Sequence, residues 1–96
     1  MNQAAFELVK TVVRQMGDEL GYVELEKPQL DTPLFGDSKG IDSLSLVRIV
    51  AEVERAAEDR FHKHVVLADE RAMSRRSSPY RTVGTLTELL QERLGE

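Results

Sequence analysis

Apolar residues recur at three- and four-residue spacings in three separate stretches of the chain, and each stretch predicts a helix. In NQAAFELVKTVVRQM, residues 2–16, one face carries Ala5, Phe6, Val9, Val12, Val13 and Met16. Asn2 is the candidate cap of this first helix and Gly17 its candidate end. Residues 43–61 contain neither glycine nor proline, and Leu46, Val50, Val53 and Ala57 form a continuous stripe. Val47, Ile49 and Phe61 broaden that stripe, while Glu52, Glu54, Arg55, Glu58, Asp59 and Arg60 fall mostly on other faces. In TVGTLTELLQERL, residues 82–94, Thr82 is the candidate N-cap, and Val83, Leu86, Leu89, Leu90 and Leu94 make the apolar face. The interior Gly84 costs that last helix about 1 kcal/mol relative to alanine.

The segments between these helices are irregular in different ways. Residues 17–42 hold Gly17, Gly21, Pro28, Pro33, Gly36 and Gly40, which break any sustained period. Leu30, Leu34, Phe35 and Ile41 are nevertheless embedded there, so the loop is expected to lie down on the core. Loops of this length in small domains are often functional. Further on, HKHVVL suits a short extended stretch, DERAMS one or two helical turns, and RRSSPYR a loop broken at Pro79. The expectation is an all-α domain spanning 1–96: a four-helix bundle with a long loop between its first two helices and a short third helix. The long loop permits a crossover connection rather than strict up-and-down order.

Composition narrows the function classes. Ninety-six residues leave room for one thin core and little for a deep catalytic cleft. The net charge of −4 argues against a general nucleic-acid binder. Residues 1–39 and 40–70 each carry −3, whereas residues 71–96 carry +2, a distribution suited to docking on other proteins. With no cysteine, disulfides and thiolate metal sites are excluded and a reducing cytoplasm is the expected setting. Neither a signal peptide nor a run of the roughly 20 apolar residues needed to span a bilayer is evident. A monomer is expected.

Candidate chemistry concentrates in GIDSLSLVRIV, residues 40–50, where a loop becomes the longest helix. Ser43 there has two readings. As a cap, its oxygen would accept a bond from the first free N–H groups of the helix, a sufficient reason for an Asp-Ser pair at this place. If Asp42 supplies the cap instead, Ser43 stands on the first turn with its hydroxyl outside. A phosphoester attached there would sit at the positive end of the helix dipole. Gly40 lets the preceding loop turn sharply, and Leu44 adds an apolar contact beside the hydroxyl.

GIDSLSLV resembles the modification motif of acyl carrier proteins, the Asp-Ser-Leu that opens their second helix. LDTPLFGDSKGIDSL is similar to the carrier loop leading into that helix, and YRTVGTLTELL to the approach to the last one. The order of helices matches across nearly all of the chain. The resemblance implies that Ser43 receives a covalent 4′-phosphopantetheine arm from coenzyme A, transferred by a phosphopantetheinyl transferase that reads Asp42 and Leu44. The arm would carry acyl groups as thioesters, so the reactive sulfur comes with the cofactor. The chain itself would not be an enzyme, and acyl-loading and acyl-processing enzymes would be its partners in fatty-acid, polyketide or related biosynthesis. The resemblance also implies an acyl-chain lining at Phe35, Leu46, Val50, Val53, Leu86 and Leu90, residues for each of which ordinary core packing is the simpler account.

The chain departs from the family along the second helix, whose exposed face is usually strongly acidic. Here the expected docking face mixes Val47, Arg48, Ala51, Glu52, Glu54 and Arg55. Charge complementarity chiefly sets encounter and partner choice, so this mixture points to a dedicated partner set. The segment from Phe61 to Thr82 is also longer than usual and contains Arg71, Arg75, Arg76 and Arg81. RRSS resembles a basic-directed phosphorylation site, a match too short to carry weight.

Two rivals remain open at this level: a peptidyl carrier loaded by an adenylating enzyme, and an unmodified helical adaptor in which Ser43 is only a cap. Other chemistry lacks the required spacing. His62 and His64 have no carboxylate or thiol partners in sequence that would make a metal site. Asp37, Gly40 and Asp42 fail the calcium-loop pattern. No Ser-His-Asp set, phosphate-binding loop or dinucleotide fingerprint is present, so no catalytic residue is assigned.

Overall fold

The computed structural model describes residues 3–35, 41–76 and 78–95. Among them lie four helices: α1 (Gln3–Leu20), α2 (Ser43–Phe61), α3 (Glu70–Met73) and α4 (Val83–Arg93), with a 3-10 turn at Val23–Leu25 between the first two. No strand occurs among the described residues. The nearest approach to one is an isolated antiparallel bridge between Pro33 and Thr82.

α1 is the element that organises the others, because it packs against α2, against α4 and against the 3-10 turn. Ala5, Val9, Val12, Val13 and Met16 are buried as the spacing predicts, but Phe6 is only half-buried and Leu8, outside the expected face, is inside. The candidate cap Asn2 lies outside the described residues. At the other end the structure corrects the expectation, since α1 does not stop at Gly17 but continues to Leu20. Gly17 is a packing residue: a Cβ there would stand 2.6 Å from the Leu25 Cβ. The helix ends at Gly21, whose φ of 85° takes the left-handed conformation open to glycine.

The long loop does lie on the core, though through a different set of side chains. Leu25, Leu34 and Ile41 are buried and Phe35 is half-buried, whereas Leu30 is 41% exposed. Leu30 contributes its backbone instead, its carbonyl accepting the Gly84 N–H at 2.7 Å. A Cβ on Gly84 would sit 2.8 Å from that oxygen, so the glycine that weakens α4 in isolation is what lets the loop close against it. Further backbone bonds from Val83 N–H to Thr32 O (3.0 Å) and Leu34 N–H to Arg81 O (2.7 Å) continue the seam. Thr82 caps α4 as expected, in a reciprocal capping box with Thr85.

The 62–69 segment forms no strand, but Val65 and Leu67 are buried on either side of an exposed Val66. Side chains from two helices and one loop fasten it. Glu54 of α2 accepts the Leu67 N–H at 2.6 Å, Tyr80 donates to the Leu67 carbonyl at 2.7 Å, and Arg93 of α4 donates to the Val66 carbonyl at 2.9 Å. Arg93 also pairs with Asp69, and this hydrogen bond is the main reason the Asp69 carboxyl is held below its ordinary pKa. Among the described residues, the buried aliphatic and aromatic side chains belong to one cluster.

Candidate functional site

α2 begins where the sequence places its most informative residues. Asp42 is its N-cap in extended backbone conformation, and its carboxylate accepts the Ser45 N–H at 2.7 Å. That bond, followed by one from the Ser45 hydroxyl, holds the Asp42 carboxyl below its ordinary pKa. The capping role therefore falls to Asp42, and Ser43 occupies the first helical position with its side chain exposed. The N–H groups of Ser43 and Leu44 precede the first intrahelical bond, from Leu46 N–H to the Asp42 carbonyl at 3.0 Å. They lie at the positive end of a 19-residue helix.

Leu44 is 72% exposed and Val47 62% exposed. The spacing set Val47 at the margin of the inward stripe and the motif comparison set it on the docking face; it stands on the exposed side. Ile49 at the other margin is fully buried, so α2 is rotated to favour that side. Leu44, Val47 and Ala51, at i, i+3 and i+7, leave an exposed apolar strip running from Ser43 along the helix.

The charged residues expected on this face separate in the structure. Arg48 is exposed. Arg55 reaches back to Glu52 and forward to Asp59, with Nη1 to Oδ2 at 3.0 Å, which leaves these three charges largely satisfied by one another. Exposed pairs of this kind contribute little stability. Glu54 turns away from a docking role: its carboxylate is taken by the Leu67 and Ala68 N–H groups at 2.6 and 3.3 Å. In the basic loop, Arg75 Nη2 donates to both carboxylate oxygens of Glu92, at 2.8 and 2.7 Å, while Arg71, Arg76 and Arg81 are exposed.

Leu46, Val50, Val53, Leu86 and Leu90, the residues tied to an acyl-chain lining, are buried together in the core, with half-buried Phe35 packed against it. A cleft of about 480 Å³ opens elsewhere, between the end of α1 and the 3-10 turn, lined by Arg14, Asp18, Tyr22 and Glu26 among others. His62 is the left-handed C-cap of α2, and His64 Nδ1 lies 3.4 Å from Glu58 Oε1. Asp37, Gly36, Gly40 and Ser77, each noted in the sequence, lie outside the described residues. No described helix is long and apolar enough to cross a membrane.

Tyr22 belongs to the site and its helical or motif context does not announce it. Its hydroxyl lies 3.1 Å from Ser45 Oγ and 3.5 Å from the Asp42 N–H. The partner side was legible, since Asp42 and Ser45 stand three residues apart at the spacing of a cap and its N3 residue. The contribution from Tyr22 crosses 20 residues of chain.

No family model matches this chain, and neither a curated protein nor a solved structure was found that matches it. The functional reading rests on the resemblance of GIDSLSLV to the carrier modification motif, together with the geometry of those residues.

Proposed function

We propose that the chain is a free-standing acyl carrier protein, with its helices in the acyl-carrier arrangement and Ser43 as the attachment point of a 4′-phosphopantetheine arm. The observation that carries this reading is the division of labour at the start of α2. Asp42 takes the capping bond, which leaves the Ser43 hydroxyl exposed on the first turn of a long helix, beside Leu44 and Val47. A cap would need that oxygen turned onto the backbone; an attachment point needs it outside.

The residues fit the group. A phosphodiester on Ser43 would lie by the free N–H groups of the first turn, where negative charge is stabilised. In the attachment reaction the Ser43 oxygen bonds to the phosphorus that bears the pantetheine arm of coenzyme A. The pyrophosphate P–O bond breaks, adenosine bisphosphate leaves, and the serine proton passes to a base of the transferase. When attached, the arm supplies the thiol that holds acyl groups as thioesters.

The chain's own residues bind and orient. Asp42, held ionised by its bonds to Ser45, and the exposed Leu44 mark the site for the transferase. Val47, Ala51 and Arg48 offer acyl-processing enzymes an apolar strip beside one cation, with Glu52 and Arg55 at its edge. Tethering raises the effective concentration of an intermediate at each enzyme the carrier visits. The chain itself catalyses none of these steps.

The test is intact mass after incubation with coenzyme A and a broad-specificity phosphopantetheinyl transferase, with Ser43→Ala alongside. One added phosphopantetheinyl group on the wild type and none on the variant is the expected result. A folded wild type that stays at its original mass with two different transferases would return Ser43 to an adaptor surface. Loading with acyl-coenzyme A, against amino acid plus adenylating enzyme, then separates an acyl from a peptidyl carrier.

A further inference from the structure

The dipeptide Ser43-Leu44 is exposed, but the residues on either side of it are not free. Asp42 before it and Ser45 after it are joined by the cap, Ser45 N–H to the Asp42 carboxylate at 2.7 Å. Both also meet one atom from a distant part of the chain, the Tyr22 hydroxyl, at 3.5 Å from the Asp42 nitrogen and 3.1 Å from Ser45 Oγ. Tyr22 is itself anchored. Its N–H donates to the Gly17 carbonyl of α1 at 2.7 Å, and its carbonyl accepts the Leu25 N–H at 3.1 Å.

We propose that Tyr22 is a positioning residue for Ser43: its hydroxyl clamps Asp42 and Ser45 and thereby sets the direction in which the Ser43 hydroxyl is presented. This rests on the carrier reading above and adds to it a residue that no motif supplies. A local cap alone leaves the first turn of a helix free to fray, because its early N–H groups lack partners. A phenol reaching from the end of α1 ties that turn to the rigid part of the fold. Displacements of about 1 Å at a reacting group are enough to slow a reaction substantially, so the tie acts on the rate of attachment more than on its affinity.

The other tyrosine is a built-in control. Tyr80 also gives its hydroxyl to a hydrogen bond, with the Leu67 carbonyl at 2.7 Å, and is more deeply buried, yet it touches neither Asp42 nor Ser45. A purely structural contribution from a phenol would show in both variants.

The experiment compares wild type, Tyr22→Phe and Tyr80→Phe as full-length proteins, measuring kcat and KM for attachment by a phosphopantetheinyl transferase with coenzyme A. Melting temperature and amide hydrogen exchange at Ser45 are read on the same samples. Tyr22→Phe is expected to lower kcat about fivefold, the scale of one neutral hydrogen bond, with KM within about twofold and faster exchange at Ser45. Tyr80→Phe is expected to lower the melting temperature at least as much while leaving kcat within about twofold of wild type. Wild type that is modified, with Tyr22→Phe equally fast or Tyr80→Phe equally slow, overturns the positioning role and leaves the carrier reading standing. Wild type that is not modified at all overturns both.

Discussion

α1 and α2 are almost equal in length, 18 and 19 residues, and both are amphipathic, yet they use their apolar residues differently. α1 leaves no large apolar side chain exposed, and it serves as the common wall for α2, α4 and the 3-10 turn. α2 buries Leu46, Ile49, Val50 and Val53 but leaves Leu44 and Val47 in solvent beside Ser43. Under the proposed function, the exposed pair Leu44 and Val47 is the part of α2 that has no counterpart in α1.

That contrast can be broken in measurable ways. The largest effect is expected in α1, where Leu8→Ala should cost about 2–5 kcal/mol in urea unfolding, because the cavity it leaves is shared with the neighbouring helices. Next comes the seam between the long loop and α4. Gly84→Ala would gain about 1 kcal/mol in an isolated helix. Here its Cβ meets the Leu30 carbonyl at 2.8 Å, so a net loss of about 1–3 kcal/mol is expected, read as a lower urea midpoint.

The cap of α2 should show itself on the acid side. The folded-state pKa of Asp42 is lowered, so its stabilising contribution is complete above the unfolded carboxylate pKa of about 3.9 and is lost as pH falls through the folded value. Asp69 and Glu92 are lowered too, by Arg93 and Arg75 respectively, and act in the same range. Subtracting the melting curve of Asp42→Asn from that of wild type between about pH 7 and pH 2 isolates Asp42. The difference should shrink on acidification, and a constant one would deny the cap its ionised form. The smallest effect is expected from Leu44→Ala, within about 0.5 kcal/mol of wild type, as for surface positions generally. Were Leu44→Ala to cost as much as Leu8→Ala, the exposed strip would be part of the core and the distinction between the two helices would fall.

Much of the fold was determined by the sequence alone, because helix periodicity and capping are local properties. The 3.6-residue repeat marked α1, α2 and α4, DERAMS marked α3, and Thr82 was legible as a cap because its acceptor role needs only the next three residues. The candidate site was legible for the same reason, since Asp42, Ser43 and Leu44 are contiguous.

What the tertiary structure decided were the relations between distant residues. Asp42 and Ser43 are both good caps in isolation, and only their placement showed which one takes the Ser45 N–H. Gly17 and Gly84 read as breaks or weak points until Leu25 and the Leu30 carbonyl came up against them. Glu54 read as surface charge until the 67–68 backbone turned toward it, and Tyr22 had no role until the end of α1 met the start of α2. Each depends on which face a neighbouring segment presents, and loop segments have no period from which that face can be read.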